Sequence, residues 1–294
     1  MKYFFLSLSF ILSAFIPFAT AQKIADKNLA LNIRVECPAC IDKEDILTKS
    51  ADTLQKLFIK VDTVCSWEGF LFPNLKQLSF HKTHLCTFPD KLPASLNILS
   101  FSNMLIEELP EQLPANLNSI HFAFTTVKKF PKQLPRRLEQ FYCLISNLNS
   151  FPNKLPSTLI KLQVLNSHLN SLPNKLPKKL QELNIRGNKI KRIPNKLPAG
   201  LKVLNVSNNE ISSLPDKLPK GLIILNCSNN QLSKLPDNLS ATLTDIDCSS
   251  NPIKSLPRLP EGLIFLNSEN TEIKCVPNKP KGGVDWMDLP LCGN

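Results

Sequence analysis

The chain has 294 residues, 43% hydrophobic and 20% charged, with 24 prolines, 8 glycines, 9 cysteines and a net charge of +11. That apolar share excludes wholesale disorder and collagen, and the length allows one elongated domain or two compact ones. The prolines exceed the ~5% of an ordinary domain. They must therefore lie in linkers or recur at fixed places, because proline breaks helix interiors and central strands.

At the N-terminus, Met1 and Lys2 precede an uncharged stretch from Tyr3 to Phe18, and Ala19-Thr20-Ala21 follows in an A-x-A pattern. This predicts a signal peptide over 1–21, with a secreted mature chain that tolerates disulfides. Residues 22–53 are expected to form an N-terminal cap. Apolar spacing from Ile41 to Leu57, with Asp42, Glu44 and Asp45 near its start, predicts a short helix there.

From residue 54 to 277 the chain repeats. Pro89, Pro110, Pro131, Pro152, Pro173, Pro194, Pro215 and Pro236 fall 21 residues apart, and a second series runs four residues later from Pro93 to Pro219. Between them recurs an apolar frame, clearest as Leu201, Leu204, Val206, Asn209, Ile211 and Leu214. In each unit Leu204 and Val206 are expected to point inward from a short strand, with Val203, Asn205 and Ser207 outward. Proline favours an extended return leg. Asn188, Asn209, Asn230 and Asn251 are expected to stack as a ladder that pairs with turn backbone, whereas Met104, Thr125, Ser146 and Ser167 at that position tie earlier turns less well.

The pattern L-x-x-L-x-[VIC]-x-x-N-x-[LI], flanked by L-P-x-K-L-P, resembles the short 20–21-residue leucine-rich repeats of secreted bacterial effectors and surface proteins. The resemblance covers about eleven units. It implies a solenoid with a curved parallel β-sheet on the concave face and extended, polyproline-like or 3-10 returns on the convex face. It also implies a protein-interaction role and gives no partner. Some effectors of this class carry a ubiquitin-ligase domain after the repeats; the short segment 278–294, expected to be a C-terminal cap, does not match one.

Cysteine placement divides in two. Cys37, Cys40, Cys65 and Cys86 cluster near the first units and are disulfide candidates whose pairing is open, and Cys275 and Cys292 are expected to close the C-terminal cap. Cys143, Cys227 and Cys248 take the inward place of Val206 and are expected to pack as small apolar groups. A dithiol redox site at Cys37-Pro-Ala-Cys40, or a zinc site joining those cysteines to His81 and His84, are the sharper and less favoured readings. No hydrolase elbow, phosphate loop or H-E-x-x-H is present, so no enzyme, metal or cofactor is expected.

The outward columns single out a surface. His121, Phe124, Tyr142, Leu144, Ile145 and Leu165 place aromatic and aliphatic groups on neighbouring strands, and they are the expected binding site for a protein partner of a monomeric chain. The alternative is an adhesin-like contact between an anionic glycan, lipid or phosphate surface and the row Lys91, Lys154, Lys175, Lys196 and Lys217 on the return face. Nucleic acid is not expected, since no aromatic interleaves the row.

Overall fold

The computed structural model describes residues 31–33, 55–60, 63–64, 72–89, 91–148, 154–281 and 289–293. In chain order the strands are β1 (Leu31–Ile33), β2 (Lys56–Ile59), β3 (Thr63–Val64), β4 (Gln77–His81), β5 (His84–Leu85), β6 (Ile98–Ser102), β7 (Leu105–Glu108) and β8 (Ser119–Ala123). They continue as β9 (Thr126–Lys129), β10 (Gln140–Leu144), β11 (Lys161–Leu165), β12 (Glu182–Asn184), β13 (Val203–Asn205), β14 (Ile224–Asn226), β15 (Asp245–Asp247) and β16 (Phe265–Asn267). Twelve of them form one sheet in the order β1-β2-β4-β6-β8-β10-β11-β12-β13-β14-β15-β16, every pair parallel. Smaller pairs, β3–β5 and β7–β9, lie on early return legs.

The 21-residue period becomes register. Leu78 pairs with Leu99, Leu99 with Ile120, Ile120 with Phe141 and Phe141 with Leu162, so equivalent side chains stack in columns about 4.8 Å apart. Leu204, Val206, Leu225, Cys227, Ile246 and Cys248 are all buried, as the alternation of a strand demands. In the N-terminal half the second inward column is aromatic. Phe80 and Phe101 stack at 5.5 Å and 5°, Phe101 and Phe122 at 5.4 Å and 10°, and Phe88 meets Phe101 edge-on. Cys143 ends this run, and thiols and aliphatics continue the column.

The two proline series have different duties. Prolines of the second series open a tight turn into the next strand: the Pro177 carbonyl accepts the Leu180 N–H at 3.1 Å, and the Pro198 carbonyl accepts that of Leu201 at 3.1 Å. Returns carry no helix or 3-10 turn among the described residues. That is the extended outcome that a fixed φ favours.

The units from β4 onward also make a left-handed turn just after the strand, and that of β11 has a second left-handed residue in His168 at φ 59°. Lys82, Asn103, Phe124, Ile145, Asn166, Gly187, Asn208, Asn229, Ser250 and Asn270 all have φ between 46° and 71°. The ladder asparagine follows this residue and does something else. Asn230 accepts the Ile211 N–H at 2.9 Å, and its amide donates to the carbonyls of Val206, Cys227 and Ser228 at 3.0, 3.1 and 3.1 Å. Asn209 and Asn251 repeat the pattern, and Asn188 adds a second accepted N–H. Ser146 and Ser167 form a thinner version, each donating to the carbonyl two residues back and accepting one N–H.

The expected N-terminal helix is corrected at its end. Residues 41–54 lie outside the described residues, but Lys56 and Leu57 belong to β2, paired with Gln77 and Leu78. Strand pairing wins there because Leu57 takes the inward column of the repeat. No helix occurs among the described residues, and β1 already pairs in parallel with β2. Cys275 and Cys292 are joined by a disulfide, and Cys143, Cys227 and Cys248 are buried free thiols. Cys86 is disulfide-bonded, while Cys37, Cys40, Cys65 and the signal-peptide segment lie outside the described residues.

Candidate functional site

The outward face of β8, β10 and β11 gathers aromatic and aliphatic side chains on neighbouring strands. Tyr142 and Leu144 alternate outward against inward Phe141 and Cys143, so the register here is regular. The His121 ring meets Tyr142 edge-on at 4.9 Å and 85°. Its Nε2 lies 2.6 Å from the Ser119 hydroxyl, and its Nδ1 lies 3.5 Å from the Ser100 hydroxyl. The Tyr142 hydroxyl donates to Gln140 at 3.0 Å, and burial, aided by the Glu182 charge, pushes the phenol up to about 12. Gln163 is buried, gives its amide to Glu182 and leaves its own carbonyl oxygen without a partner. An unpaired buried acceptor costs ~1–3 kcal/mol, which makes this a locally unfavourable face.

Burial holds the His121 imidazole down at about 4. An unfolded imidazole titrates near ~6.5, so below that pH the unfolded chain takes a proton that the folded chain refuses. Stability is therefore full above about 6.5 and falls as pH drops towards 4, by roughly 3 kcal/mol. Urea unfolding at the two ends of that window should show the decline in the parent and a flatter profile in His121→Gln. Equal slopes in both proteins would reject this assignment.

The surface differs from the expected six residues in one place. Leu165 is 4% exposed, so it is floor and not contact surface. It pairs with Leu144 on one side, and Arg186 holds the equivalent position in the next repeat. His121, Tyr142 and Leu144 are partly buried, whereas Phe124 and Ile145 are 51% and 47% exposed.

Phe124 and Ile145 are also the aromatic and the β-branched residue of the left-handed column. A β-branched side chain at φ 46° is strained, and a phenylalanine at 50° gains nothing from the local hydrogen bonding that lets asparagine tolerate this region. Neighbouring turns use Asn103 and Asn166. Leu105, 50% exposed on β7, extends the rim, and Ile223 and Ile264 form further exposed apolar points beside β14 and β16. None of these three was singled out from sequence. Reading the column that precedes the ladder, rather than the ladder itself, would have marked Phe124 and Ile145 as misfits.

The C-terminal half of the face is self-satisfied. Asn205 accepts the N–H and hydroxyl of Ser207 at 3.1 and 2.8 Å, Asn226 does so with Ser228, and Asp247 with Ser249. Such a wall has few unmet acceptors along this column. Among the described residues no group of His, Cys, Asp and Glu is arranged to hold a metal ion.

Residues 178–220 match the family of leucine-rich repeats, in two copies. This is a leucine-rich-repeat fold. The leucine-rich effector YopM of Yersinia pestis is 29% identical with a TM-score of 0.65, over 82% of this chain and 66% of YopM. The chain thus spans about two thirds of that relative. Two further structures share the fold alone. One is a chain of the octameric complex of Latrophilin 3, Unc5D and FLRT2, at 19% identity and TM-score 0.65, over 76% of this chain and 77% of that one. The other comes from the Toll–Spätzle complex of Drosophila, at 21% identity and TM-score 0.60, over 78% of this chain and 34% of that one. None of the curated proteins matches the chain in sequence.

Proposed function

We propose that this is a secreted, non-enzymatic recognition protein that binds a protein partner on the outward strand face of its central repeats. Exposed Phe124 and Ile145, held side by side in a backbone conformation that disfavours both, carry the reading. Strain of this kind survives only where surrounding structure over-determines it, and it clusters at ligand-contacting positions. Tyr142 and Leu144 supply the adjoining floor, and aromatic anchors rimmed by polar groups are the usual make-up of a binding hot spot. Leucine-rich repeats generally serve as protein-interaction scaffolds, and the fold's relatives in the Latrophilin 3 and Toll complexes were solved in assemblies with other proteins. The A-x-A pattern at Ala19-Thr20-Ala21 supports export.

The test uses a double variant, Phe124→Asn with Ile145→Asn. Asparagine tolerates the left-handed region, so relief of strain should stabilise the fold by about 1 kcal/mol or more. Partner capture from the surroundings of the source organism should fall at the same time, and Tyr142→Ala with Leu144→Ser should lose the same captured protein. Capture unchanged in both variants would reject the face as the binding site. A fall in melting temperature of the asparagine variant would reject the strain argument.

A further inference from the structure

The excess charge of the chain is not spread along it. Residues 154–209 contain eleven lysines and arginines and a single acid, Glu182, a net +10 of the chain's +11. These residues make fewer than three turns of the solenoid. Two of the cations are compensated: Lys161 lies 3.7 Å from Glu182, and Lys191 lies 3.8 Å from Glu210. Lys154, Lys175, Lys178, Lys179, Arg192 and Lys196 are exposed, and none has an ion-pair partner among the described residues. Elsewhere on the array lysines do find acids, as in Lys128 with Glu107 and Lys129 with Glu108.

Topology lines these charges up. Lys154, Lys175 and Lys196 hold one repeat position on the return leg, and Lys217 follows at the next turn. The Lys217 position bridges in parallel to Asn238, so consecutive returns are in register there. The row therefore steps by ~4.8 Å per turn. Lys178 and Lys179 occupy the centre of the tight turn that Pro177 opens, beside the row in sequence and equally exposed. A row of uncompensated like charges at this spacing repels itself, and a multivalent anion laid along it relieves the repulsion.

We propose that this basic belt is a second binding site, separate from the central strand face, and that its ligand is a linear anionic polysaccharide. The row runs along the stacking direction, which suits an extended polymer. No Phe, Tyr or Trp occurs between residues 152 and 264, which removes the stacking platforms that single-stranded nucleic acid uses. Extended return legs present no helix or β-ribbon for a DNA major groove. None of the exposed large apolar residues lies in 154–209, so the belt has no anchor for a bilayer. Nine of its eleven cations are lysines, point charges suited to sulfate or carboxylate without the bidentate geometry of arginine.

Heparin serves as the probe, in a salt titration against neutral dextran, single-stranded DNA and phosphatidylglycerol vesicles. Heparin should be held most tightly, with affinity falling steeply as salt rises. The variant Lys154→Gln, Lys175→Gln, Lys196→Gln should lose about tenfold in heparin affinity, and its salt slope should shrink by roughly one unit per lysine removed. A variant with the same net charge, Lys128→Gln, Lys129→Gln, Lys254→Gln, should stay within about twofold of the parent. Equal losses in the two variants would show a bulk-charge effect and overturn the site. Tighter holding of DNA or vesicles than of heparin would overturn the ligand class.

Discussion

Phe101→Ala is expected to destabilise the protein by about 3–5 kcal/mol, the range for emptying an aromatic site in a close-packed core. Phe101 is fully buried, with Phe80 and Phe122 stacked above and below it at 5.5 and 5.4 Å and Phe88 against its edge. Removing its ring takes stacking contacts from three neighbours at once, and the parallel backbones on either side keep the cavity from closing. Val206→Ala, at the same inward position in a later unit, should cost less than half as much. In a solenoid each unit is held by its neighbours, so the loss should spread to the adjacent turns before the rest. Hydrogen exchange would check this. Protection should drop first in β4, β6 and β8, and uniform loss along the array would contradict the nearest-neighbour picture.

Asn230→Ala is expected to cost about 3 kcal/mol or more, although it removes little apolar surface. The amide serves two turns, taking the Ile211 N–H of the preceding unit and donating to Val206, Cys227 and Ser228. Alanine would leave the Ile211 N–H buried and unmet, at a desolvation penalty of ~1–3 kcal/mol, and would take one of two donors from each of the Val206, Cys227 and Ser228 carbonyls, which keep Asn209, Asn251 and the Asn208 N–H. Ser167→Ala is the comparison. Its hydroxyl takes the Ser146 N–H, donates to the Leu165 carbonyl and accepts weakly from the Cys143 thiol, so its removal should cost roughly half as much. Denaturant unfolding of both variants decides the matter. Equal losses would mean that the asparagine ladder adds nothing over a hydroxyl.

Much of the architecture was legible because the repeat turns sequence position into spatial position. Once Leu78, Leu99 and Ile120 are seen to recur every 21 residues, their stacking and inward direction follow from strand alternation. The disulfide between Cys275 and Cys292 agrees with the expectation that this pair closes the C-terminal cap. The helix to Leu57 failed where two periods overlapped, since the apolar spacing there also fits the first repeat and strand pairing offered Leu57 a partner in Leu78.

The candidate surface was only half legible. Outward direction could be counted from the strand period, and it holds for Tyr142 and Leu144. Exposure could not, because it depends on the size of the residues one repeat away. Leu165 faces outward and is still covered, while Phe124 and Ile145 lie beyond the strand end and stand clear.

An excess of prolines in so apolar a chain has to sit where extended backbone is wanted and no central-strand hydrogen bond is lost. Sequence alone determined that they mark a period, that the period is 21 residues, and that Leu, Val and Cys at fixed places form the core. These are statements about one unit repeated, and chain-local physics suffices for them. Only the tertiary structure decided that one proline series turns the chain into its next strand and that the left-handed turn falls on Phe124 and Ile145. It also decided that the lysine row legible in the sequence stands, at Lys154, Lys175 and Lys196, without an ion-pair partner among the described residues. Those outcomes depend on what lies one turn above and below, at a distance of ~4.8 Å in space and 21 residues in sequence.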